Sequence, residues 1–231
     1  MCGRFTLTRR DGREIAEMLG IDPREFSDHL PRYNVAPTQH HYIVTTEYEN
    51  RKLSLAKWGL VNSWAKDASR AAQAINAKAE TIETRATFKE AFRSRRCVVP
   101  ADGFYEWIGP KTKREPMWIH PHRGGLILFA GLYESWFPEK GKPELTFTII
   151  TCDANKVVAP IHDRMPVILS DRDADDWMNP RESSPLALKR LLIPAPADLL
   201  AATPASPLAN NAKNEGAELL AAAPRQSELS F

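Results

Sequence analysis

The middle of the chain offers almost nothing but short strands. Cys97 to Pro100, Phe104 to Trp107, Met117 to Ile119, Leu126 to Tyr133 and Leu145 to Thr151 are brief runs of aliphatic, β-branched and aromatic residues. Glycine, proline and charged turns part them. Met165 to Leu169 adds one more run, and two earlier ones at about 41–47 and 53–60 read the same way. Together they predict an α+β chain built on a mostly antiparallel, strongly curved sheet.

Helix signals lie around that core. Asp11-Gly12-Arg13-Glu14 resembles a capping box, followed by Ile15, Met18 and Leu19 on one face and a stop at Gly20. Further helices are expected at about 79–95, with Ile82, Phe88 and Phe92 inward, and at about 171–178 and 184–192. Pro23 to Thr38 reads as loop, as does the polar stretch Asn62 to Gln73, which carries Trp64. Beyond Pro194 the chain is rich in Ala, Pro and Asn. No repeat or Gly/Ser-rich linker divides the 231 residues, so 1–220 are expected to form one domain and 221–231 a flexible tail.

Composition excludes several classes. At 43% hydrophobic, the chain can bury one sizeable core. With 31 basic and 29 acidic residues, any nucleic-acid surface must be local. No apolar run approaches the ~20 residues a membrane helix needs. Arg4, Arg9, Arg10, Asp11 and Arg13 interrupt any secretory signal. Three widely spaced cysteines, Cys2, Cys97 and Cys152, argue for a reducing compartment and a cytoplasmic location.

Cys2 is the most distinctive single residue. Removal of Met1 would leave an α-amine and a thiol on adjacent carbons. An α-amine titrates near ~7.7–8.0 against ~10.4 for lysine, so more of it is neutral near pH 7. The pair can trap an aldehyde, first as an imine and then as a thiazolidine ring. The plain alternative is that position 2 merely begins a strand.

Cys2-Gly3-Arg4 and four other segments look over-specified for packing. Arg4 suits a phosphate. Asn34-Val35-Ala36-Pro37-Thr38 is a small-residue turn. Asn76 could hydrogen-bond a reacting group, or could simply cap a helix. Glu106, between Tyr105 and Trp107, has an apolar setting that would raise its pKa for proton transfer, unless it faces solvent on an alternating strand. His162, in Ile161-His162-Asp163-Arg164-Met165-Pro166, can shuttle protons or be structural.

Weaker signals remain. His40-His41 and His120-Pro121-His122 invite a zinc reading, but no motif with ligand spacing accompanies them, and neither metal nor cofactor is expected. Arg93 to Arg96 reads as a solvated helix end or a phosphate contact. Trp58, Trp64 and Trp107 could stack bases or pack.

Taken together, Met-Cys-Gly-Arg-Phe, Tyr-Asn-Val-Ala-Pro-Thr, Trp58-Gly59-Leu60, Ile-Asn-Ala-Lys-Ala-Glu-Thr, Cys97 through Trp107 and His-Asp-Arg-Met-Pro resemble the SRAP family in content and order. These are the SOS-response-associated peptidase proteins, which act on abasic sites. The resemblance runs from Cys2 to about Gly216. It implies a single α+β domain with a curved, barrel-like, mostly antiparallel β core flanked by helices, a positively charged channel for single-stranded DNA, junctions with duplex included, and a covalent link from Cys2 to the abasic-site aldehyde. It implies Cys2 as nucleophile, with Asn76, Glu106 and His162 as its catalytic neighbours. It also implies DNA contacts at Arg4, Pro37, Trp64, Lys78 and Arg164, and action as a monomer at the nucleoid. Two positions depart from the family pattern. Lys78 stands where arginine is common, which loses bidentate phosphate geometry. Val61-Asn62 stands where proline is common, which is expected to loosen the loop before Trp64. Two rival activities are an N-terminal-nucleophile hydrolase using the Cys2 thiolate and a non-covalent single-strand binding module.

Overall fold

A computed structural model describes residues 2–110, 112–138 and 141–221. Five strands close into a barrel. The hairpin of β3 (His40–Glu47) and β4 (Asn50–Trp58) continues through β10 (Glu144–Asp153), β9 (Ile127–Trp136) and β6 (Arg96–Ala101). Strand β6 returns to β3, pairing Val98 with Val44. Every joint of the ring is antiparallel except β4 with β10. Closure removes the edges a sheet of apolar strands would otherwise expose.

A second, five-stranded sheet packs on the barrel. Its order is β13 (Leu200–Pro204), β8 (Glu115–Pro121), β7 (Gly103–Ile108), β1 (Phe5–Leu7) and β2 (Arg32–Val35). Phe5 and Phe104, directly opposed on β1 and β7, both meet Phe129 of the barrel edge to face, and Phe5 also packs on Trp58. That aromatic seam joins the two layers. Gly103 is required there, because a Cβ would lie 2.2 Å from the Trp118 indole nitrogen.

The remaining elements are short. Strand β5 (Asn76–Lys78) runs parallel to β10, and β11 (Arg164–Pro166) folds back on β10 as a hairpin. Strand β12 (Ile168–Leu169) pairs with β9. Helix α1 (Gly12–Leu19) ends at Gly20, whose φ of 64° few other residues adopt cheaply. Asp11 caps it by accepting from the Arg13 amide, whereas Glu14 pairs with Arg9, so only half of the expected capping box forms. Helices α2 (Lys89–Ser94), α3 (Asp171–Met178) and α4 (Pro185–Arg190) complete the set.

The expected architecture is the observed one, with local corrections. The helix expected over 79–95 is confined to α2, and 79–88 are consecutive turns. Thr81, Thr84 and Thr87 disfavour a helix there, and the Thr84 hydroxyl donates to the Thr81 carbonyl. The loop expected from Pro23 to Thr38 contains a 3₁₀ turn, Pro23–Phe26, and β2. The chain beyond Pro194 is ordered: β13 completes the second sheet, and 205–220 lies across it as a strap. Asn34 donates to the carbonyls of Asn211 and Asn214, Glu215 accepts the Tyr33 amide, and Trp107 donates to Asn210. Of the expected tail, 222–231 lies outside the described residues. Among the described residues, no helix is long and apolar enough to cross a membrane.

Candidate active site and nucleic-acid cleft

The register of β1 on β7 builds the site. Phe5 faces Phe104, Thr6 faces Gly103, and the Tyr105 amide donates to the Arg4 carbonyl. Continuing that register sets residue 3 level with Glu106, which brings Cys2 into the same corner. Cys2 is wholly buried, and its thiol donates to the Arg4 carbonyl at 3.6 Å. The Asn76 amide nitrogen donates to the Cys2 carbonyl at 2.7 Å. Asn76 is therefore a strand residue holding the Cys2 backbone, not a helix cap.

Glu106 is 3% exposed. Its apolar setting has a different origin from the expected one. Alternation along β7 sends Tyr105 and Trp107 to the strap face, while Glu106 shares the inner face with Phe104. Burial pushes the Glu106 carboxyl up, opposed by positive charge at the amino terminus and by His162. Burial and the charge of Glu106 together push the Cys2 thiol up. Both shifts favour the neutral thiol and the neutral carboxyl.

His162 ends the turn that links β10 to β11. Its Nδ1 accepts the Arg164 amide at 2.9 Å and also lies 2.8 Å from the Asp163 carboxylate. The two contacts ask opposite things of Nδ1, since an amide needs its lone pair and a carboxylate needs a proton on it. Asp163 is largely in water, which screens its charge, whereas the Arg164 amide is fixed in the backbone and holds the ring in place.

Beside this corner lies a cleft of about 680 Å³. Its charged lining residues are Lys66, Arg70, Lys78 and Arg85 against Asp67 alone, and Asn76 belongs to its wall. Trp64 stands 72% exposed in the same lining. The loop carrying it is fastened on both sides. Val61 donates to the Thr146 hydroxyl, Asn62 to the Thr87 carbonyl, and Trp136 to the Ala65 carbonyl. Asn62 thus tethers the segment that its departure from proline was expected to loosen. Gly59 enters this loop with a φ of 125° and a Cβ position 2.7 Å from the Ala71 carbonyl oxygen, so no other residue fits.

The expected DNA contacts divide into two groups. Trp64 and Lys78 line the cleft, while Pro37 sits half-buried in its turn outside it. Arg4 lies over the Trp107 ring and donates to Asn34 and to the Ala209 and Asn210 carbonyls, which ties it to the strap. Arg164 is 8% exposed and bound to Glu80, Asp153 and the Thr151 carbonyl. Sequence reasoning did not single out Lys66, Arg70 or Arg85. Their available signal was basic residues spaced around an exposed tryptophan in a polar loop. Among the described residues, no group of three or more His, Cys, Asp or Glu could hold a metal. His41 is instead buried against Phe5 and bonded to the Pro100 carbonyl, its pKa lowered by burial to about 3.

The family model of the SOS response associated peptidases matches residues 1–212. The chain belongs to the SRAP family. It is 43% identical to the abasic site processing protein YoqW of Bacillus subtilis, over 95% of this chain and 99% of the relative. It is 32% identical to YedK of Escherichia coli, which carries the same description, over 95% and 99%. The rat protein HMCES, also so described, is 29% identical over 87% of this chain and 67% of its own length. A crystal structure of a Bacteroides thetaiotaomicron protein has the same fold, with a TM-score of 0.85 at 23% identity over 96% and 100% of the two chains.

Proposed function

We propose that this SRAP protein processes abasic sites in single-stranded DNA by closing Cys2 onto the sugar aldehyde as a thiazolidine. One observation carries the reading: Asn76 belongs both to the buried Cys2 corner and to the wall of the basic, Trp64-bearing cleft. Nucleophile and strand-binding surface therefore meet at one residue. The SRAP relatives described as abasic site processing proteins support the same substrate.

Single-stranded DNA lies in the cleft through phosphate contacts from Lys66, Arg70, Lys78 and Arg85, with a base stacked on Trp64. Loss of Met1 frees the Cys2 amine. The abasic sugar opens, with His162 donating a proton to the ring oxygen. The amine adds to the aldehyde carbon and water leaves, giving an imine. The thiol sulfur then adds to the imine carbon and its proton passes to nitrogen through Glu106. Asn76 holds the Cys2 carbonyl while the ring closes. An imine that fails to close undergoes β-elimination, which is lyase chemistry. The hydrolase alternative needs a standing thiolate, and a thiol whose pKa is raised by burial suits it poorly. The protein acts as a cytoplasmic monomer of one domain, on nucleoid DNA and at junctions with duplex.

Denaturing electrophoresis after mixing the protein with an abasic single-stranded oligonucleotide tests this. Wild type gives a heat-stable shifted band, Cys2→Ala none, and Cys2→Ser at most a labile one, because an oxygen ring opens more easily. An uncleavable amino-terminal tag abolishes the band. A heat-stable band from Cys2→Ala or from the tagged protein overturns the proposal.

A further inference from the structure

We infer that Lys78 is a second amine nucleophile of the cleft, which forms an imine with the abasic-site aldehyde and nicks the strand where Cys2 does not capture it. This rests on the reading above, in which an abasic single strand lies in the cleft.

Strand β5 puts the amine there. Side chains alternate along a strand. Ala77 is wholly buried in the core, while Asn76 and Lys78 on either side of it both line the cleft. Pairing with β10 fixes that orientation, setting Asn76, Ala77 and Lys78 level with Ile149, Ile150 and Thr151. Asn76 in turn holds the Cys2 carbonyl at 2.7 Å. Lys78 therefore stands on the same strand face as the residue that holds Cys2, two positions along. Two strand residues rise about 7 Å, a span that the four-carbon stem of a lysine covers. An aldehyde delivered to Cys2 thus comes within reach of the Lys78 amine. Lys66, the other amine of the cleft, sits in the Trp64 loop and shares no strand with a residue bonded to Cys2.

Lys78 is exposed, and its charge reaches Glu80 two residues on. Among the described residues no hydrogen bond or ion pair holds its ammonium. A guanidinium at this position would serve a phosphate and nothing more, because it stays protonated. A lysine does both. As the cation it meets a phosphate, and as the free base it adds to a carbonyl.

The amine adds to the aldehyde carbon and water leaves, giving an imine. Protonation of the imine nitrogen acidifies the neighbouring C2′ hydrogen. That proton passes to water, the C3′–oxygen bond breaks, and the 3′ phosphate departs with the electron pair. Arg70 and Arg85 line the same cleft and face its charge. Water then hydrolyses the imine and restores Lys78. A free Cys2 terminus wins this competition, because an α-amine is ordinarily neutral more often than a lysine ε-amine, and its thiol then closes the ring. Nicking by Lys78 is the outcome when that terminus is blocked.

The test uses the full chain with an uncleavable amino-terminal tag, which leaves Cys2 no free amine, mixed with an abasic single-stranded oligonucleotide. With sodium cyanoborohydride, which reduces an imine to a stable amine, denaturing electrophoresis should show a covalent band. Without it, only nicked strand should appear. Peptide mass mapping should place the reduced adduct on Lys78. Lys78→Arg keeps the charge, and should lower trapping and nicking by about tenfold or more beyond any change in affinity for undamaged single strand. Should the tag itself weaken that affinity, untagged Cys2→Ala, mapped in the same way, replaces it. The absence of a trapped band, trapping that persists in Lys78→Arg, or an adduct that maps only to Lys66 or to the chain terminus overturns the inference. The proposed function fails separately: if untagged wild type gives no heat-stable band without reductant, the thiazolidine falls, while the mapped lysine still decides the role of Lys78.

Discussion

Two buried polar corners of this molecule are built to opposite standards. At Arg96, 3% exposed, all five guanidinium N–H groups reach carbonyls: Trp177, Phe92, Arg93, Asn179 and Glu182, at 2.5–3.0 Å. The donors come to the carboxyl ends of α2 and α3, where helix dipoles favour a cation. At the Cys2 corner, the Asn76 side-chain oxygen is buried with no hydrogen-bond partner among the described residues. There burial raises the cost of ionising both a thiol and a carboxyl, and the charge of Glu106 raises it further for Cys2. The first corner spends its polar groups on holding elements together. The second keeps them unsettled, and such a site is stable only because the structure around it is over-determined.

The sharpest way to break the contrast is Glu106→Gln. If the corner trades stability for chemistry, this variant should slow crosslinking by about 10²–10⁴-fold, the usual worth of an acid–base group. The same change should stabilise the fold at neutral pH. Burial raises the native pKa of Glu106 above its unfolded value, so the native state binds the proton more tightly. The resulting stability is present below the unfolded value, near pH 4.5, and is lost as pH rises through the native one. Urea unfolding of wild type and variant at pH 4 and pH 8 checks it: the variant's advantage should appear only at the higher pH. A variant destabilised at pH 8 would put Glu106 in the same class as Arg96.

Arg96→Met supplies the opposite arm. Five carbonyls would lose their donor, at a cost of about 3–5 kcal/mol, read as a lower denaturation midpoint. Whatever fraction stays folded should crosslink at the wild-type rate, since Arg96 touches no residue of the site. A selective loss of rate would show that the two corners are coupled.

The smallest expected effect is at the cleft. Trp64→Ala should weaken binding to undamaged single-stranded DNA by about 1–3 kcal/mol, the usual worth of one stacked base. The denaturation midpoint should not move, because the indole is 72% exposed. Fluorescence anisotropy alongside thermal unfolding separates the two. A drop in midpoint without loss of affinity would return Trp64 to packing.

How far the sequence disclosed all this follows from what local pattern can encode. The barrel strands were legible because each is a short apolar run between turn residues, and α3 matched its expected limits, 171–178, from its capping serine and spacing. The 79–88 stretch misled because Ile82 and Phe88 face the core from turns, just ahead of Phe92, which faces it from α2. Strand β5 was hidden by its three-residue length, so Asn76 looked like a cap. Glu106 was singled out by its aromatic neighbours, yet they lie on the other face of the strand. The strap was illegible because it has no apolar rhythm. Its order comes from side-chain amides and carboxylates reaching partners more than 170 residues away, such as Asn34 with Asn211. The buried pairing of Arg164 with Glu80 was hidden likewise, since the two lie 84 residues apart along the chain.

The strap also sets a timetable. Arg4 takes the Ala209 carbonyl, 205 residues downstream. Synthesis delivers Cys2 first and this fastening 205 residues after Arg4, so a nascent chain carries Cys2 through that interval without the finished corner around it. Contacts of such long sequence separation form late. The finished corner around Cys2 is therefore withheld from any product that lacks the strap.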